Sequence, residues 1–459
     1  MPQSPQAPER RHGDPRRARR LARLRGAHVE GRFAPGVSWL QRLRQAVRSL
    51  GPGLITGAAD DDPSGIATYS QAGARFGLSI LWTVVLTLPL MAAIQMVSAR
   101  IGYVTGRGLA ANIKRAFPQP VLLAVVGLLV VANTLNIAAD LAAMGAAMTL
   151  VAGGSAHLYA MAFALGSVLM QVFIPYQRYV AILKWLTLSL LAYVAVAFMV
   201  RLDWAEVLAR TVAPQLKLDA DLLLMVVAVL GTTISPYLFF WQAAQEVEDR
   251  QPAPPRSHAE VRRHLRAIRW DTVVGMGFSN TVAYFIILAT AVTLHAAGLT
   301  DIQTSAQAAQ ALRPVAGEWA FALFALGIVT TGLLAVPVLA GSAAYAVAEV
   351  AGWEGSLALR LERGQGRPFY AVIAAATLGG LVLCFAPMDP VRELFWVAVL
   401  NGVISVPIMA VMMGVASRRS VMGEHVIGPG LRWLGWLATG LMGLAVLALG
   451  VSSFRWPSA

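Results

Sequence analysis

The chain has 459 residues, 57% hydrophobic and only 13% charged, with a formal net charge of +13 and a mean hydropathy of +0.61. Soluble domains average about 25% charged residues, so this composition excludes a large water-soluble core and points to a polytopic membrane protein. A single cysteine, Cys384, excludes an intramolecular disulfide and a thiolate metal cluster, and the seven histidines are scattered, so no cofactor is expected.

Residues 1–45 form a basic tail, with Arg10, Arg11, Arg16, Arg17, Arg19, Arg20, Arg23 and Arg25 crowded into residues 10–25. A cytoplasmic tail lying against anionic lipid accounts for that run without a nucleic-acid partner. No apolar stretch of signal-peptide type follows it, so a cleaved secretory leader is not expected. Trp39, Leu40, Leu43, Val47 and Leu50 share one helical face, the pattern of an interfacial helix leading into a transmembrane domain over 46–455.

The first apolar span, 51–73, is interrupted by Asp60-Asp61-Asp62-Pro63-Ser64-Gly65. A carboxylate at bilayer depth costs roughly 3 kcal/mol on insertion scales and persists mainly where it binds something. Pro63 frees carbonyls of the preceding turn, which are tolerated only inside protein or along a watery cavity. Together they make an oxygen-rich cation site in the middle of the membrane.

Apolar windows of roughly 20 residues then place spans at 78–99, 121–145, 157–176, 180–200, 221–245, 272–296, 319–348, 369–387, 391–416 and 432–453. The expected fold is all-α, with about 11 transmembrane helices. The even-numbered connections carry most of the arginines, including a polar stretch from Arg250 to Arg269 that reads as a cytoplasmic loop. The opposite side carries only Arg75, Arg201, Arg210, Lys217, Arg313, Arg392 and Arg455. By the positive-inside rule the N-terminus is cytoplasmic and, with an odd helix count, the C-terminus is outside.

Span 6 contains a second break, Gly231-Thr232-Thr233-Ile234-Ser235-Pro236-Tyr237. Spans 1 and 6 correspond if the chain is built from two five-helix repeats, about 51–200 and 221–416, of opposite topology, with an extra helix at about 432–453. Paired broken helices in corresponding positions point to the binding site of an inverted-repeat transporter.

These residues resemble the Nramp family of divalent-metal transporters. The similarity runs through Gly51-Pro52-Gly53, Asp62-Pro63, Ala67-Thr68, Gln71-Ala72-Gly73-Ala74-Arg75, Leu81-Trp82, Ile94-Gln95, Ser98-Ala99, Gly106-Arg107 and Phe117-Pro118. It implies the sodium/amino-acid-symporter-like fold and uptake of a divalent cation, with or without protons, across a bacterial cytoplasmic membrane. No enzymatic activity and no obligate protein partner are implied. The departures carry information. The family's D-P-G-N is here Asp62-Pro63-Ser64-Gly65, its M-P-H is Ser235-Pro236-Tyr237, and its D-L-A-E is Asp140-Leu141-Ala142-Ala143.

The metal ligands implied by the resemblance are Asp62, the Ala59 and Thr232 carbonyls, and Ser235. Exchange of a thioether for a hydroxyl removes the preference for softer ions and suits magnesium as well as manganese or iron. Asp61, Asp140, Tyr237, Gln242, Glu246 and Asn401 are assigned to the ion or proton route, with an interhelical hydrogen bond as the other reading for Asn401. A sodium-coupled organic-solute symporter on the same fold is the alternative. It would need an exposed helix-1 amide for a substrate carboxylate.

Overall fold

The structure, a computed structural model, describes residues 56–57, 59–174, 178, 183, 187–213, 219–249, 257–357, 359, 366–386 and 388–455, all within one compact unit. The basic tail, the expected interfacial helix and Gly51-Pro52-Gly53 lie outside the described residues. Among those described, every regular element is helical.

The principal helices in chain order are α1 (Pro63–Phe76), α2 (Trp82–Thr105), α3 (Leu109–Ala116), α4 (Gln119–Ala152), α5 (Ala156–Phe173), α6 (Leu191–Met199) and α7 (Trp204–Val212). There follow α8 (Ala220–Thr233), α9 (Pro236–Asp249), α10 (His258–Thr290), α11 (Ala320–Ala351), α12 (Arg367–Leu383), α13 (Pro390–Ser417) and α14 (Pro429–Arg455). Eight stretches among the described residues are long and apolar enough to cross a membrane, and they coincide with eight of the expected spans. Of the remaining three, span 1 is interrupted at Asp61–Asp62 and begins outside the described residues. Span 5 is described at residue 183 and from residue 187, and span 9 is the 17-residue α12.

Sequence reasoning missed α7. The pair Leu188–Met199 and Trp204–Val212 is bent by 119°. Asp203 caps α7 by accepting from the Ala205 and Glu206 amides, at 2.9 and 3.3 Å. Only Val207 is buried on this nine-residue helix, as suits a segment lying along a membrane interface.

The expected loop over 250–269 is corrected: from His258 onward it is helix, continuous with span 7. Ser257 caps it by accepting from the Glu260 amide at 3.3 Å. Val261 and Ile268 bury against Ala99 and Tyr103 of α2. This apolar seam lets an arginine-rich segment stay helical, and Val261, Leu265 and Ile268, the only large apolar residues of 258–269, were too few to reveal the period in the sequence.

Burial separates central from peripheral helices. The apolar window of the α8–α9 span is 83% buried within protein, against 22% for α5 and for Pro429–Ser452. With no membrane hydrocarbon as an alternative for a fully buried helix, α1 is surrounded by protein on every side: residues Pro63 to Ala74 are all buried, including Ser64, Thr68, Ser70 and Gln71. Polar residues at the centre of a membrane bundle need internal partners and mark function.

Close backbone approach locks α1 in place. A Cβ on Gly73 would sit 2.1 Å from Thr290 Oγ1 and 2.2 Å from the Ile287 carbonyl of α10. Gly73→Ala is therefore expected to cost about 1–3 kcal/mol through overpacking. A thermal unfolding scan of the purified variant would register a lowered midpoint, and an unchanged midpoint would contradict this packing.

Candidate functional site

The two breaks are formed locally by the same device. Asp62 takes an extended conformation (φ −73°, ψ 171°), caps α1 and precedes proline at the first helical position. Its Oδ1 accepts from the Gly65 amide and from the Ser64 hydroxyl, both at 2.7 Å. In the other repeat α8 stops at Thr233, Ile234 leaves the helix (φ −114°, ψ 60°), and Pro236 opens α9. The Ile234 carbonyl, released from helix bonding, accepts from Ser405 of α13 at 2.8 Å.

Four contacts join the breaks. Ser64 Oγ lies 3.4 Å from Thr232 Oγ1. Tyr69 OH lies 3.0 Å from Thr233 Oγ1. The Tyr237 phenol donates to the Ala59 carbonyl at 3.0 Å and reaches Asp62 Oδ2 at 3.4 Å. Asp62, Ala59, Thr232 and Ser235 are each at most 2% exposed, so the site is occluded.

Ser235 points its hydroxyl back along α8, donating to the carbonyls of Gly231 at 3.0 Å and Thr232 at 2.7 Å. The Thr232 carbonyl is thus already partnered by Ser235. Among the described residues Asp62 Oδ2 has only the long Tyr237 contact, leaving lone pairs for another group. Among the described residues no group of three or more His, Cys, Asp or Glu is placed to hold a metal. The donors gathered here are one carboxylate, peptide carbonyls and hydroxyls, a hard oxygen set.

The route residues separate into distinct groups. Asp61 and its neighbour Asp60 turn toward α10, where Ser279 donates to Asp60 Oδ2 at 2.6 Å and to Asp61 Oδ1 at 3.1 Å. Gln242 and Glu246 form a chain with the residues before the first break: Thr56 donates to Gln242 Oε1 at 2.5 Å, and Gln242 donates to Glu246 Oε1 at 3.1 Å. Glu246 Oε2 lies 4.0 Å from His264 Nε2, whose ring stacks on Tyr103 at 4.1 Å. Asn401 exchanges two hydrogen bonds with Asn136 of α4, at 3.0 and 3.1 Å, so its amide is committed to a helix–helix contact. Asp140 is fully buried, neither oxygen has a hydrogen-bond partner among the described residues, and it lies within electrostatic reach of Asp62 and Glu393.

Ser64, Ser279 and Asn136 were missed in the sequence. Asn136 carried a usable signal, since Asn133, Asn136 and Asp140 fall on one face of α4 at three- and four-residue spacing. Ser279 carried none, because a serine in an apolar helix is common and only packing brings it to the acids.

A phenol between Ala59 O and Asp62 Oδ2 competes with any cation that would bridge them. Tyr237→Phe removes that competitor while keeping the ring. Divalent-ion affinity is expected to rise about 5-fold, the equivalent of about 1 kcal/mol for one neutral hydrogen bond. Calorimetric titration of the variant giving equal or weaker binding would instead make the phenol a ligand or an essential prop.

Comparison with known proteins gives a consistent picture. A divalent metal cation transporter, MntH, of Verminephrobacter eiseniae is 29% identical over 366 residues, covering 75% of this chain and 80% of the relative. Its namesake from Klebsiella pneumoniae subsp. pneumoniae is 27% identical over 418 residues, covering 89% and 92%. Among solved structures, a manganese transporter from Eremococcus coleocola superposes with a TM-score of 0.69 at 15% identity, over 91% of this chain and 89% of that one. Mhp1, a nucleobase-cation-symport-1 family transporter, superposes with a TM-score of 0.55 at 12% identity, over 89% and 94%. At such identities the two structures establish the shared inverted-repeat fold alone. The family model described as Natural resistance-associated macrophage protein-like matches residues 53–452. This chain, from the first helix break to the last helix, is a member of the Nramp family.

Proposed function

We propose that this protein takes up a divalent metal cation across a bacterial cytoplasmic membrane by alternating access, with Asp62 as principal ligand and the Ala59 and Thr232 carbonyls and Ser235 completing the oxygen shell. The observation that carries the reading is the meeting of two helix breaks around the Asp62 carboxylate, inside protein and away from lipid. Family membership and relatives described as divalent metal cation transporters support it. The arginine-rich connections support an N-terminus in the cytoplasm and a C-terminus outside.

The donor set selects the ion class. With no thioether and no imidazole at the break, the site binds hard ions through oxygen, and magnesium joins manganese as a substrate. Iron-class metals belong to the same set of substrates. Calorimetric titration of the purified protein with magnesium, manganese, calcium and cadmium tests this. Magnesium and manganese binding that Asp62→Ala removes is the expected result. Cadmium bound far more tightly than either would refute the assignment.

Coupling to protons rests on Asp140, whose buried carboxylate, without a hydrogen-bond partner among the described residues, is suited to carry one. Lumenal acidification accompanying metal uptake into proteoliposomes measures it directly. Transport by rocking requires the link Thr56–Gln242–Glu246 to open, because it ties the segment before the first break to α9. The organic-solute alternative is disfavoured by the same geometry. The helix-1 amide that a substrate carboxylate would need, Gly65 N, is already held by Asp62 Oδ1.

A further inference from the structure

Away from the proposed metal site, α2, α10, the turn carrying Glu424 and His425 and the start of α14 line two adjoining open pockets that share Arg100 and Leu265. The outer cavity, about 720 Å³, is lined by His258, Arg262, Arg266 and His425 besides Arg100. The inner one, about 400 Å³, runs along Met96, Ile268, Leu431 and Leu434, with Arg269 at its edge.

On α10 the residues His258, Arg262, Leu265, Arg266 and Arg269 recur at helical spacing and form one face. None of Arg262, Arg266 and Arg269 has an ion-pair or hydrogen-bond partner among the described residues. Arg100 is held from behind, its Nε and Nη2 donating to the carbonyls of His425 and Val426, both at 3.0 Å. The one acid in the lining, Glu424, is 82% exposed and lies 3.6 Å from His258 Nε2. Burial first, and then the positive groups His258 and Arg100, push the His425 imidazole below its ordinary range.

Trp270 and Trp433, next in the chain to Arg269 and between Leu431 and Leu434, are exposed, and tryptophans of this kind mark the headgroup level of a bilayer. A free phosphate would satisfy the arginines but leave the apolar inner cavity unfilled. The geometry points to a binding site for one anionic phospholipid, its phosphate among Arg100, Arg262, Arg266 and Arg269 and an acyl chain along Met96, Ile268, Leu431 and Leu434. Basic pockets between transmembrane helices on the side of the basic loops hold lipid headgroups in this way, each cation near the surface contributing appreciably to retention.

The test is native mass spectrometry of the purified full-length protein with added phosphatidylglycerol or phosphatidylcholine. Phosphatidylglycerol is expected to remain bound where phosphatidylcholine is lost. The triple variant Arg262→Gln, Arg266→Gln, Arg269→Gln should weaken retention at least about tenfold. The single Arg266→Gln should weaken it about 3-fold, which keeps the test decisive if the triple variant folds poorly. A control variant, Arg107→Gln, Arg115→Gln, Arg419→Gln, removes as much charge from other exposed positions and should retain lipid. Equal retention of the two lipids, full retention by Arg266→Gln, or equal loss in the control overturns the site. Displacement of phosphatidylglycerol by an equal concentration of inorganic phosphate overturns the lipid as its occupant.

Discussion

Asp62→Asn is expected to abolish divalent-metal binding and uptake, lowering transport at least about 100-fold, while the protein still folds. The asparagine oxygen can accept from the Gly65 amide and the Ser64 hydroxyl as the aspartate does at 2.7 Å, so the cap on α1 survives. What is lost is the negative charge that compensates a doubly charged ion stripped of water at bilayer depth. Loss of an outer-shell partner alone commonly weakens a metal site 10- to 100-fold, and a primary anionic ligand should weigh more. Calorimetry, manganese flux into proteoliposomes and a thermal unfolding scan separate the outcomes. Retained flux with a native unfolding midpoint would remove Asp62 from the site, whereas loss of both would reveal only a folding defect.

Ser235→Met should redirect the site toward cadmium, raising its affinity at least about 10-fold relative to magnesium. Two changes act together. The variant loses the hydroxyl that engages the Gly231 and Thr232 carbonyls at 3.0 and 2.7 Å, which frees Thr232 O to face a cation. It also brings a thioether, a soft donor that favours cadmium and disfavours magnesium. Ser235 is 1% exposed, so the longer side chain must extend into the break itself, where the ion would sit. Competition titrations of cadmium against magnesium on the variant and the parent read the effect. An unaltered ratio would detach Ser235 from ion selection and leave it as a cap of α8.

Both breaks were legible in the sequence because proline and acid stand out against apolar background. Asp62-Pro63 and Ser235-Pro236 violate the continuity of a membrane helix, and the structure places them at the first turn of α1 and of α9. Helix limits were legible where composition changes sharply, as at Gln119 and Pro390. They failed at His258, where a buried edge formed by Val261 and Ile268 supports a helix that composition assigns to water. The route residues were the least legible. Gln242 and Glu246 were legible as a pair one helical turn apart, but nothing in the sequence around Asp61 and Asn401 marks Ser279 and Asn136 as their partners.

By itself, the sequence determined a membrane-embedded, all-helical chain with two proline-marked breaks and an acid in the first of them. These are properties of single residues against their local background, and periodicity and hydropathy report them. The tertiary structure alone decided that the breaks meet, that Tyr237 occupies the gap between Ala59 and Asp62, and that Asn401 is spent on Asn136. Those pairings join residues more than 170 positions apart. They arise only when helices without lipid-facing sides are packed against one another and every buried polar group must find a partner inside the protein.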